Sequence, residues 1–90
     1  YGFPGWAVEH GGVLETSLML HLHPHLGDMS KGVDQEPATF PPYDFFPVKP
    51  EWTPCSGCLS SAKPASAQKG KLLFEVCVKG IAEQLQLAFR

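Results

Sequence analysis

The sequence predicts two helices joined by a long, proline-rich but ordered arm, and three observations carry that reading. Leu14, Leu18 and Leu22 recur at i, i+4 and i+8, the spacing of one helix face. Phe74, Cys77, Val78, Ile81, Leu85 and Ala88 form a second stripe at helical spacing near the other end. Between them, Pro37, Pro41, Pro42, Pro47, Pro50, Pro54 and Pro64, together with Gly57, are too dense for a helix or a central strand.

Composition narrows the class further. Hydrophobic residues make up 43% of the 90 and charged residues 18%, so the chain is too apolar to be disordered. Nine glycines and nine prolines predict a large non-repetitive fraction. A chain this short buries only about 60–65% of its unfolded surface, which makes an autonomous fold marginal. The net charge of −2 and the scatter of the seven basic residues argue against nucleic-acid binding. No apolar run approaches the ~18 residues that span a bilayer, so no membrane segment is expected. The opening YGFPGWAVEH has neither the basic nor the apolar region of a signal peptide, and no initiator Met, so a piece of a longer chain is expected. Cys55, Cys58 and Cys77 are odd in number and unrepeated in spacing. They predict no disulfide framework and point to a reducing cytoplasm.

The first helix is predicted over 13–22, with Val13 and Met19 widening the leucine face, and Pro24 and Gly27 ending it. Glu15 lies in its first turn, where the helix dipole favours negative charge. Gly11 and Gly12 just before it allow close backbone approach and leave N–H groups pointing outward at a helix start. Residues 36–64 form the arm, expected to be ordered and extended. Phe40, Tyr43, Phe45, Phe46 and Trp52 are too many aromatics for a solvated linker, so the arm is expected to pack, on other sequence or on a neighbouring subunit. The second helix is predicted from 66 to about 89, with Ser66 as N-cap and Glu75 to Lys79 as a favourable i, i+4 pair. Gly70 and Gly80 each cost about 1 kcal/mol against Ala in a helix. Both therefore predict close packing against another element.

Three clusters could carry chemistry. His21, His23 and His25 suggest a metal, but Pro24 breaks the helix that would align them, and polar residues at a frayed helix end explain them as well. Cys55 and Cys58 form a CxxC without the second ligand pair of a zinc ribbon or the strand-to-helix setting of a thioredoxin-like motif, and read as loop cysteines. The stretch GWAVEHGGVLETS is different. It sets His10 between carboxylates, beside a Gly-Gly that opens a helix, with Trp6 four residues upstream. Imidazole is the natural proton shuttle near neutral pH, a neighbouring Glu can orient it, and a Trp on a Gly-flanked loop can cover a planar ligand. From spacing alone, a helix-capping His and a core Trp are the favoured reading.

The segments WAVEHGGVLETSLML, PATFPPYDFFPV and LSSAKPASAQKGKLLFEVCVKGIAEQL resemble the C-terminal part of the creatininase (creatinine amidohydrolase) family, in register over residues 5–89. The resemblance implies an α/β fold: a three-layer α/β/α domain of which residues 1–90 would be a partial, C-terminal portion. It implies a cytoplasmic homohexamer that hydrolyses the creatinine lactam to creatine with two divalent metals, zinc and manganese, a metal-bridging hydroxide attacking the carbonyl. On the same likeness Trp6 is the mobile tryptophan over the substrate. His10 contacts substrate and passes a proton to the ring nitrogen, and Glu15 supports His10. The family has Asp after the tryptophan, at a substrate-contacting position, where this chain has Ala7, whose methyl accepts no hydrogen bond. The family's metal ligands belong to the preceding part of the domain, so no metal ligand is expected here. Another amide or cyclic-amide hydrolase of the family, and a non-catalytic assembly module, are the alternative readings.

Overall fold

The computed structural model describes residues 10–39, 41–43 and 46–90. Helix α1 spans Val13–Leu22 and helix α2 spans Ala67–Ala88, with short 3-10 turns at Pro24–Leu26, Met29–Lys31 and Pro50–Trp52 between them. Both helices lie where the hydrophobic period predicts them. No strand occurs among the described residues.

Each helix end has a local cause. The last turn of α1 closes with the His23 N–H donating to the Met19 carbonyl at 2.8 Å. Pro24 then cannot donate and its ring fits the start of a new turn, not the continuation of the old one. Asp28 caps the turn that follows, accepting from the Ser30 N–H at 3.0 Å. Ser66 caps α2 as its sequence position predicts, its hydroxyl accepting the Lys69 N–H at 3.2 Å. In the exposed part of α2, Lys79 lies 4.0 Å from Glu83, so it pairs towards the C-terminus and not with Glu75.

The two helices meet through small residues. Ser17 is fully buried, and its hydroxyl accepts the backbone N–H of Ser66 at 3.1 Å, which ties α1 to the start of α2. Opposite lies Gly70, also buried: a Cβ there would sit 1.8 Å from the Ser17 carbonyl oxygen and 2.9 Å from the His21 Cβ. Only a hydrogen at this position permits the crossing. One turn on, the His21 ring tilts against Phe74 with centroids 5.7 Å apart. The close packing predicted for Gly70 is therefore found. Gly80 has nothing within 4 Å of where its Cβ would be, so among the described residues that expectation is not met. The leucine stripe of α1 does not form the buried face either: Val13 is 1% exposed, Leu22 44%. Close approach at Ser17 and Gly70 sets the rotation of α1, and the leucines are left half-covered.

The arm doubles back on itself. Ala38 donates to the Leu59 carbonyl at 2.9 Å, Ser61 Oγ to Asp34 Oδ1 at 3.0 Å and Ser56 Oγ to Gln35 Oε1 at 2.9 Å. Tyr43 and Trp52 pack edge-on at 6.4 Å, with the Lys49 ammonium 5.2 Å from the Trp52 ring. Phe46 is 89% exposed. The radius of gyration is 15.8 Å, against about 12 Å for a compact domain of this length. Val13 and Ala62 are the buried hydrophobic residues among those described. The arm's pairings fold its described part back on itself, so it is not the extended run expected from its prolines, and among the described residues much of its apolar surface is uncovered.

Candidate functional site: the His10 turn

The chain enters α1 through a tight turn at His10, Gly11 and Gly12. Gly11 has φ +62°, in the left-handed region that a Cβ disfavours. Gly12 occupies the N-cap position, where it has no side chain to offer, and its carbonyl accepts the Thr16 N–H at 3.2 Å. The capping is supplied from the other side. Glu15, in the first turn of α1, reaches back so that its Oε2 accepts the Gly11 N–H, an arrangement akin to a capping box. The same oxygen lies 3.7 Å from His10 Nδ1. That separation is an ion-pair distance, longer than a hydrogen bond. Both side chains are more than half exposed, at 65% and 56%.

A second element fixes the turn from outside. The N–H of Leu59, at the end of the arm, donates to the His10 carbonyl at 2.9 Å. Cys58 packs on Gly11: a Cβ at that glycine would lie 3.1 Å from the Cys58 sulfur. The peptide unit linking His10 to Gly11 is thus held at both polar ends, its C=O by Leu59 and its N–H by Glu15. The Gly11 N–H consequently does not point outward to a ligand, which corrects one expectation drawn from the Gly-Gly pair.

The Creatininase family model, described as creatinine amidohydrolase, matches residues 3–85. This chain belongs to the creatininase family. It is 61% identical over 88 residues to the creatinine amidohydrolase of Pseudomonas putida, covering 98% of this chain and 34% of that protein. A solved creatininase in a manganese form superposes with a TM-score of 0.88 at 61% identity, over 98% of this chain and 34% of that one. A mutant creatininase complexed with creatine superposes with a TM-score of 0.86 at the same identity and the same two coverages, and another is a zinc–zinc form. The two helices and the arm are therefore the corresponding part of the α/β creatininase fold, and the chain spans about a third of the length of these relatives.

Of the residues singled out in the sequence, His10 and Glu15 come together in the turn. Trp6 and Ala7 lie outside the described residues. His21 packs on Phe74, while His23 and His25 face each other edge-on at 6.0 Å. Cys55 is exposed and Cys58 half-buried, both as free thiols. Among the described residues no three His, Cys, Asp or Glu side chains converge as a metal centre requires. These residues do not fit the zinc and manganese of the family's enzymes. No helix among them is long and apolar enough to cross a membrane. The parts of the turn that the sequence did not reveal are Cys58 and Leu59. They are 48 and 49 residues beyond His10, and no local pattern links them to it.

Proposed function

We propose that this chain is the part of a creatinine amidohydrolase that covers the substrate and delivers the proton, with Trp6 as the lid, Ala7 beside the substrate, His10 as the proton carrier and Glu15 as its support. The observation that carries the proposal is the His10 turn lying in a segment matched by the creatininase family model, with the Glu15 carboxylate 3.7 Å from the imidazole. Opening the lactam requires water oxygen to bond to the carbonyl carbon, the ring C–N bond to break, and the departing nitrogen to gain a proton. Imidazolium at His10 can give that proton and take one back from water in the next turnover. The Glu15 carboxylate beside it can orient the ring. Activation of the attacking water is assigned to residues outside this chain. There zinc and manganese would be held by the remaining part of the α/β domain, of which residues 1–90 are the C-terminal portion.

The product assignment, creatine, is supported by the creatine complex of the mutant relative. Ala7 favours a second reading, another cyclic amide of similar size, because a methyl replaces a hydrogen-bonding carboxylate at the substrate-contacting position. On the resemblance we also assign homohexameric assembly and, with three free thiols, a cytoplasmic site of action. The test is a chimera in which this chain replaces the matching third of the Pseudomonas putida enzyme, assayed with zinc and manganese beside the 90-residue chain alone. The chimera should hydrolyse creatinine, and the 90-residue chain should not. A chimera active only on other cyclic amides supports the second reading; a folded, metal-loaded chimera inactive on all of them points to an assembly role. Turnover by the 90-residue chain alone would contradict the division of labour.

A further inference from the structure

The arm's contact with the His10 turn fixes the peptide unit that links His10 to Gly11. The Leu59 N–H holds the His10 carbonyl at 2.9 Å, and Glu15 holds the N–H of the same peptide unit. Rotation of that peptide would break both bonds. Behind it, the Cys58 sulfur and Cα would lie 3.1 and 3.7 Å from a Gly11 Cβ, leaving no room for the turn to retreat towards the arm. The arm end is itself anchored. The Leu59 carbonyl accepts from Ala38 at 2.9 Å, and the Cys58 N–H donates to Ser56 Oγ at 3.2 Å.

We propose that Cys58 and Leu59 are positioning residues for His10, setting its imidazole through Gly11 and the His10 carbonyl without touching substrate. This rests on the reading of His10 as proton carrier. A side chain larger than a thiol at position 58 pushes Gly11 away, and an imidazole displaced by about an ångström loses most of its effect on rate, because transfer depends steeply on donor–acceptor geometry. A smaller side chain leaves both hydrogen bonds of the peptide intact.

The experiment is a double-mutant cycle in the chimera, reading kcat, KM and bound metal. Cys58→Leu should lower kcat by ~10–100-fold while KM and metal content hold. Cys58→Ala, which opens space behind Gly11 but keeps both hydrogen bonds of the peptide, should lower kcat by a smaller factor than Cys58→Leu. In a His10→Asn background Cys58→Leu should have no further effect, because there is no imidazole left to misplace. Should Cys58→Leu fail to fold, Cys58→Val, closer in volume, is put through the same cycle. An equal loss in both backgrounds, or none in either, overturns the positioning role and leaves the proton-carrier reading standing. If His10→Asn itself is fully active, the proton-carrier reading fails and the positioning role falls with it.

Discussion

The backbone N–H of Leu59 donates to the carbonyl oxygen of His10 at 2.9 Å, so the end of the proline-rich arm is tied to the turn that begins α1. This bond turns an otherwise loose, glycine-rich entry into a held one. Together with the Glu15 bond to Gly11 it holds the backbone beneath an imidazole whose ring is 65% exposed.

The crossing of α1 and α2 should be far more sensitive than the cap beside it. Gly70→Ala places a Cβ 1.8 Å from a backbone oxygen. The helices must separate, at a cost of about 3 kcal/mol or more. Ser66→Ala loses one cap bond, about 1 kcal/mol. Urea-unfolding midpoints of the two variants in the chimera check the order. Equal losses would show that the crossing is slacker than the geometry says.

The three histidines at the end of α1 should be dispensable for chemistry. His23 and His25 are exposed, and His21 spends its ring on Phe74. Replacing all three by Gln should keep kcat within severalfold and lower the unfolding midpoint through the lost His21 packing. A loss of ~10²-fold, the scale of an acid–base residue, would move the chemistry to this cluster.

Ala7 should set substrate affinity. Ala7→Asp supplies the carboxylate that the family resemblance implies at this position, an acceptor for a guanidino-type group, and a hydrogen bond to a charged partner is worth ~1.5–3 kcal/mol. KM for creatinine should therefore fall by ~10-fold or more with little change in kcat. An unchanged KM would show that position 7 does not contact this substrate.

Much of the scaffold was legible in the sequence because its signals are local. Helical period, Pro24, the Ser66 cap and the acidic residue in the first turn of α1 each act within a few residues, and both helices lie where those signals place them. Gly70 could be read as a point of close approach because a helix-interior glycine is costly without a packing reason. Gly80 carries the same signal, yet nothing among the described residues covers it. The buried face of α1 is only partly legible, because hydrophobicity marks a helix more surely than it marks which side is covered: Val13 of the predicted face is enclosed, but so is Ser17, a polar residue, while Leu22 is exposed. At the candidate site, spacing puts His10 among carboxylates at a helix start, and the family resemblance singles out Glu15, whose carboxylate lies 3.7 Å from the ring. Cys58 and Leu59 could not, since they reach the turn only through the doubling-back of the arm, made by pairings such as Ala38 with Leu59.

The central claim is that His10 supplies the proton to the departing ring nitrogen, and kcat measured alongside metal content for His10→Asn tests it most directly. In the chimera, kcat should fall by ~10²–10⁴-fold, the range for a positioned acid–base group, with bound zinc and manganese at the parent level. Glu15→Gln, which keeps an oxygen to accept the Gly11 N–H but loses the charge beside the imidazole, should lower kcat less. Retained activity in His10→Asn would contradict the proton-carrier role. Metal lost together with activity would make His10 a ligand or a structural residue instead.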